Sequence, residues 1–122
     1  MLFRSLLCSS SLQYVPQPLE SFARLLAMEP RYVCIVRTPL TAKGPLTFSV
    51  QRSRLSNNGP GPAQIDVPDR DVRYPIAILS EERLFEVAAD RYAPVADYLE
   101  RPTLYHPDHG LIPFRSLLLG RR

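Results

Sequence analysis

Apolar residues fall along this chain in short blocks, and their spacing alternates between the period of a strand and that of a helix. Phe3 to Ser9 is a short apolar run bounded by Ser9-Ser10-Ser11, which predicts a buried strand. After Pro16-Gln17-Pro18, the residues Leu19, Phe22, Leu25 and Leu26 share one helical face. Pro18 suits the first turn of that helix and Pro30 stops it. Arg31 to Arg37 is β-branched and apolar almost throughout, the pattern of a strand covered on both faces. Strand, short helix and strand together make a βαβ unit.

From Thr38 to Tyr74 the pattern loosens. Thr47-Phe48-Ser49-Val50-Gln51 alternates as a half-exposed strand does, and Ser56-Asn57-Asn58-Gly59-Pro60-Gly61-Pro62 is turn chemistry. Tyr74 to Leu79 is again short and apolar. Ser80 is a good N-cap for a helix over Glu81 to Tyr92, whose buried stripe is Leu84, Val87 and Ala88. Pro94 to Glu100 reads as a further strand. Leu111 to Leu119 reads as the last one, entered through the turn Tyr105-His106-Pro107-Asp108-His109-Gly110.

Composition narrows the class. The chain has 122 residues, enough for one compact domain and too short for two of ordinary size. With 45% hydrophobic and 22% charged residues it is globular. Proline is the outlier, 13 against 5 glycines, so long, stiff connections are expected. The net charge is +3, but arginines alternate with acids, as in Asp69-Arg70-Asp71-Val72-Arg73, instead of forming a basic stripe. No nucleic-acid partner is expected on that pattern. No apolar run reaches the roughly 18–20 residues of a membrane span, so no membrane partner is expected either. Cys8 and Cys34 each lie inside an apolar segment without CxxC spacing and read as small hydrophobes in a reducing, cytoplasmic setting. The apolar start before Cys8 is too short for a secretion signal, and Leu7 is not the small residue a lipoprotein site needs.

The catalytic inventory is thin. His106-Pro107-Asp108-His109 invites a metal reading, but the sequence holds no other histidine and both cysteines read as buried, so a turn is expected and no metal. Ser9, Ser10 and Ser11 lack a G-x-S-x-G elbow and read as strand-end residues. Gly59-Pro60-Gly61 is no phosphate cradle, because its prolines remove the amide donors that a cradle uses. No catalytic residue is assigned.

Two motifs carry a family resemblance. Leu7-Cys8-Ser9-Ser10-Ser11-Leu12-Gln13-Tyr14-Val15-Pro16-Gln17-Pro18 resembles the fourth strand and following loop of class I S-adenosylmethionine-dependent methyltransferases. Arg37-Thr38-Pro39-Leu40-Thr41, followed by Gly44-Pro45-Leu46-Thr47-Phe48, is similar to the segment after the fifth strand in a bacterial family of such enzymes. Tyr74-Pro75-Ile76-Ala77-Ile78-Leu79-Ser80 and the closing Ile112-Pro113-Phe114 to Leu119-Gly120-Arg121-Arg122 extend the likeness over nearly the whole chain. Departures are an enlarged loop over Asn57 to Val72 and Ala93-Pro94 in place of a Gly-Tyr turn.

The resemblance implies an α/β fold, the C-terminal half of a Rossmann-like class I methyltransferase sheet, with a βαβ core and a last antiparallel strand. Residues 1–122 would be a partial methyltransferase domain without its glycine-rich cofactor half, and residues 53–73 a loop insertion. The activity implied is methyl transfer from S-adenosylmethionine to a small-molecule or sugar-type acceptor, with the chain inactive alone. Ser10, Ser11 and Leu12 would border the cofactor, and Tyr14, Arg37, Thr38, Thr41 and His106 the acceptor. An arginine at a strand end can also clamp an anionic acceptor. The alternative is a non-catalytic interaction module or remnant, self-associating through the open edge of a first strand that lacks a neighbour.

Overall fold

The computed structural model describes residues 4–57, 69–101 and 104–122. The chain is mixed α/β. Strand β1 (Ser5–Ser9), helix α1 (Pro18–Leu26) and strand β2 (Tyr32–Thr41) form a βαβ unit in which β1 and β2 pair in parallel, Ser5 beside Tyr32 through Ser9 beside Val36. Strand β3 (Thr47–Arg54) and strand β4 (Asp71–Ser80) make an antiparallel hairpin. The end of β4 joins β2 in parallel at Leu40–Leu79 and Thr41–Ser80. Helix α2 (Glu81–Ala88) leads into strand β5 (Tyr92–Leu99). Short strands β6 (Leu104–His106) and β7 (Gly110–Ile112) pair only with each other. The last strand, β8 (Phe114–Arg121), runs antiparallel to both β2 and β5 and lies between them.

Both helices pack on one face of this sheet. Phe22 and Leu26 of α1 and Leu84 and Ala88 of α2 meet Val33 and Ile35 of β2 and Leu117 and Leu119 of β8 in one buried cluster. Each large side chain fully buried there is worth about 1.5–3 kcal/mol of apolar transfer. Pro18 occupies the first turn of α1, as its fixed φ favours. The Ser80 side chain accepts from the Arg83 backbone N–H at 3.2 Å, so the expected N-cap of α2 is formed.

Several expected boundaries differ, each for a local reason. Helix α2 ends at Ala88, and Tyr92 opens β5 instead of closing the helix. Its hydroxyl donates to the Pro30 carbonyl at 2.7 Å, which ties β5 to the turn after α1. Pro113 splits the expected strand Leu111–Leu119, because it has no N–H to give to a ladder. The loop expected over residues 53–73 is strand at both ends: Ser53 and Arg54 close β3, and Asp71 to Arg73 open β4. The turn segment at Asn58 to Pro62 lies outside the described residues, as does Phe3. Strand β1 is not covered on both faces, and in β2 burial alternates from Tyr32 to Arg37 before Thr38, Pro39 and Leu40 are buried in succession. In β1 only Leu6 and Cys8 reach the core, and Leu7 is 68% exposed.

Candidate functional site

In open α/β sheets, ligands bind beyond the carboxyl ends of the parallel strands. At the end of β1, beside a bulge within β2, two positions carry backbone in the left-handed region. Ser10, just after β1, has φ 46°, and Arg37 of β2 has φ 54°. Left-handed backbone at a residue with a Cβ costs about 1–3 kcal/mol and clusters at ligand sites. Glu29 shares the conformation, but it closes the turn after α1, where such a residue is ordinary. Ser10 and Arg37 have no helix end to account for them.

Hydrogen bonds hold the two positions side by side. The Ser10 N–H donates to the Val36 carbonyl at 2.9 Å. The Gln13 side-chain amide donates to the Arg37 carbonyl at 2.9 Å, and the Arg37 N–H donates to Ser116 Oγ at 3.3 Å. The register of β2 against β8 shifts between Ile35 and Thr38, so Arg37 sits at a β-bulge. Bulges of this kind re-aim a side chain. The Arg37 guanidinium is 65% exposed, with Glu100 Oε1 3.7 Å from its Nε.

Beneath this rim lie two buried polar atoms with no partner among the described residues: Gln13 Oε1 and Thr38 Oγ1. Gln13 is 1% exposed and Thr38 fully buried. A buried acceptor without a partner costs about 1–3 kcal/mol, so such atoms mark a site that folding alone has not optimised. On the far side Tyr14 links the loop to the β3–β4 hairpin. Its hydroxyl donates to Gln51 Oε1 at 3.1 Å, and its ring stands edge-on to Tyr74 with centroids 5.6 Å apart. Burial, and then Tyr74, push the Tyr14 hydroxyl above its ordinary pKa, so it stays a neutral donor.

The structure therefore brings together Ser10, Ser11, Tyr14, Arg37 and Thr38 of the expected site residues. Leu12 belongs to the core, 3% exposed, and contributes packing. Thr41 sits where β2 meets β4, its hydroxyl bonded to the Leu79 and Lys43 carbonyls at 3.4 and 3.2 Å. His106 lies in the β6–β7 hairpin, where its Nδ1 accepts from the Asp108 N–H at 3.1 Å and its ring meets that of His109. No hydrogen bond or ion pair among the described residues joins it to Ser10, Tyr14 or Arg37. Gln13 and Ser116 are the residues that sequence reasoning passed over. The one signal for Gln13 was its place inside the Leu-Gln-Tyr motif.

A separate cleft of about 370 Å³ opens beside α2, lined by Glu81, Phe85, Val95, Asp97 and Arg115. Its cation is already engaged, since Arg115 pairs with both Glu81 and Asp97. Among the described residues, no group of three His, Cys, Asp or Glu is placed to hold a metal ion. Among the described residues, no helix is long and apolar enough to cross a membrane. No family model matches the chain, and no curated protein and no solved structure matches it either.

Proposed function

We propose that the chain is the C-terminal portion of a class I S-adenosylmethionine-dependent methyltransferase, acting on a small-molecule or sugar-type acceptor and inactive by itself. The observation that carries this reading is the pairing of the two motifs in space. The Leu-Gln-Tyr loop after β1 meets the Arg-Thr-Pro-Leu-Thr segment of β2 at two left-handed residues, with the Ser10 N–H donating to the Val36 carbonyl and the Gln13 side-chain amide to the Arg37 carbonyl. The sheet is consistent with it, since the last strand, β8, runs antiparallel to β2. The free thiols of Cys8 and Cys34 suit a reducing compartment such as the cytoplasm.

Ser10 and Ser11 offer hydroxyls and backbone on one side of such a cofactor. The described residues supply no glycine-rich turn after β1 or β2, so the fit is to one wall of the site. When bound, the cofactor supplies an electrophilic methyl group on sulfur. This chain's part is to position and exclude water: Arg37 and Tyr14 face the acceptor side and fix its orientation. Titration calorimetry tests the reading. Weak, saturable binding of S-adenosylmethionine on the order of 1 mM is expected from a single wall. Micromolar binding overturns the claim that the chain is incompetent alone, and no binding at that level removes the cofactor reading.

A further inference from the structure

We propose that the row of arginines at the amino ends of β1 and β2 binds single-stranded nucleic acid. The row lies at the other end of β1 from Ser10 and needs nothing from the methyl-transfer reading. Ser5, Tyr32 and Gly120 stand side by side in register on β1, β2 and β8. The next rung outward holds Arg4, Arg31 and Arg121. Backbone bonds fix it, the Tyr32 N–H donating to the Arg4 carbonyl at 3.1 Å and the Arg121 N–H to the Arg31 carbonyl at 2.9 Å. Arg91 and Arg122 close the row beside β5, where the Arg122 N–H donates to the Arg91 carbonyl at 2.9 Å. Along the sequence these arginines are scattered, which argues against a nucleic-acid partner; folding brings them into one line.

Charge and shape choose the ligand. Like charges side by side on neighbouring strands destabilise a sheet, so folding alone does not account for the row. All five arginines are exposed. Among the described residues only Arg121 of the five has an ion pair, with Glu29 at 3.4 Å. Glu29 and Asp90 are the carboxylates that neighbour the row in sequence, so its excess equals the whole chain's net charge of +3. Four strands at about 4.8 Å spacing make a line of about 14 Å, the length of about four phosphates at about 3.4 Å rise. A line matches a chain of phosphates, whereas a membrane surface is met by a broad face with an apolar flank. Tyr32 stands one rung in, 39% exposed, with the Arg31 guanidinium 5.5 Å from its ring centroid. Unpaired bases stack on aromatic rings and guanidinium planes, and a duplex keeps its base faces hidden.

Fluorescence anisotropy of the full chain with a dye-labelled oligothymidine of about 20 nucleotides tests this. Binding on the order of 10 μM at about 50 mM salt is expected, with a log–log salt slope of about −3 for four phosphates. Arg4→Gln with Arg31→Gln should weaken it at least about tenfold and flatten the slope by about 1.4. That variant should melt no lower than the parent, because like charges leave the row. Tyr32→Ala should weaken binding at least about fivefold and leave the slope in place. Arg52→Gln with Arg73→Gln removes the same charge from exposed positions on the β3–β4 hairpin and should change affinity less than about twofold. Oligothymidine paired with oligoadenosine should bind more weakly than the single strand. No binding at about 50 mM salt, a duplex bound as tightly, recruitment to vesicles of about 30% phosphatidylserine, or equal losses in the hairpin control each overturn the proposal. S-adenosylmethionine takes no part in the assay, so its outcome is read apart from that of the calorimetric titration.

Discussion

Replacing Arg37 isolates the strain at the site. Its φ of 54° suits glycine, whereas any residue with a Cβ pays about 1–2 kcal/mol there. Arg37→Gly releases that strain but adds about 0.5–1 kcal/mol of unfolded-state entropy. The lost pair with Glu100 counts for little, because the guanidinium is 65% exposed and screened by water. Arg37→Ala loses the same pair and keeps the strain. Glycine should therefore exceed alanine by about 0.5–1 kcal/mol, a difference of about 2–5 °C in Tm for a chain of this length. Urea unfolding of the two variants reads the difference as a change in midpoint at constant slope. An alanine variant as stable as the glycine variant would refute a strained left-handed residue at the bulge of β2.

Two further outcomes follow from the hydrogen-bonding pattern. Ser80→Ala removes the acceptor that caps α2 and should cost about 1 kcal/mol, read from the same urea midpoint; an unchanged midpoint removes the cap. The folded state holds the Tyr14 proton more firmly than the unfolded chain, because burial and Tyr74 raise its pKa. Its contribution is thus complete below about pH 10 and is lost as pH rises through the folded pKa. Tyr14→Phe should flatten the alkaline fall in Tm above about pH 10, and an equally steep fall in the variant contradicts the assignment.

The sequence makes some elements legible because local chemistry and burial agree. Helix α1 has proline at its first turn and an apolar face every third or fourth residue, and the structure buries Phe22 and Leu26 on that face. The end of α2 misleads for the opposite reason. Leu84, Ala88 and Tyr92 recur every four residues and continue a helical stripe, yet Tyr92 is buried through a long-range bond to Pro30. The outer half of the β3–β4 hairpin hides because its cross-strand partners are charged. Arg52 pairs with Asp71, and Arg54 with Asp69 and Asp71, where a strand signal needs apolar alternation. At the site, strain falls on Ser10 and Arg37, neither of them the glycine that would flag it. Gln13 is a polar residue buried by tertiary packing, which no local pattern reports.

On the proposed reading, the loop after β1 and the bulge of β2 at Arg37 form one wall of a cofactor site. Amide chemical shifts of the isotope-labelled chain, followed while S-adenosylmethionine is added to several millimolar, test it residue by residue. Shifts confined to Ser10 through Tyr14, Arg37, Thr38 and Ser116, saturating on the order of 1 mM, are the result expected. Shifts centred on the β6–β7 hairpin or on the cleft beside α2, or no shifts at all, would contradict it.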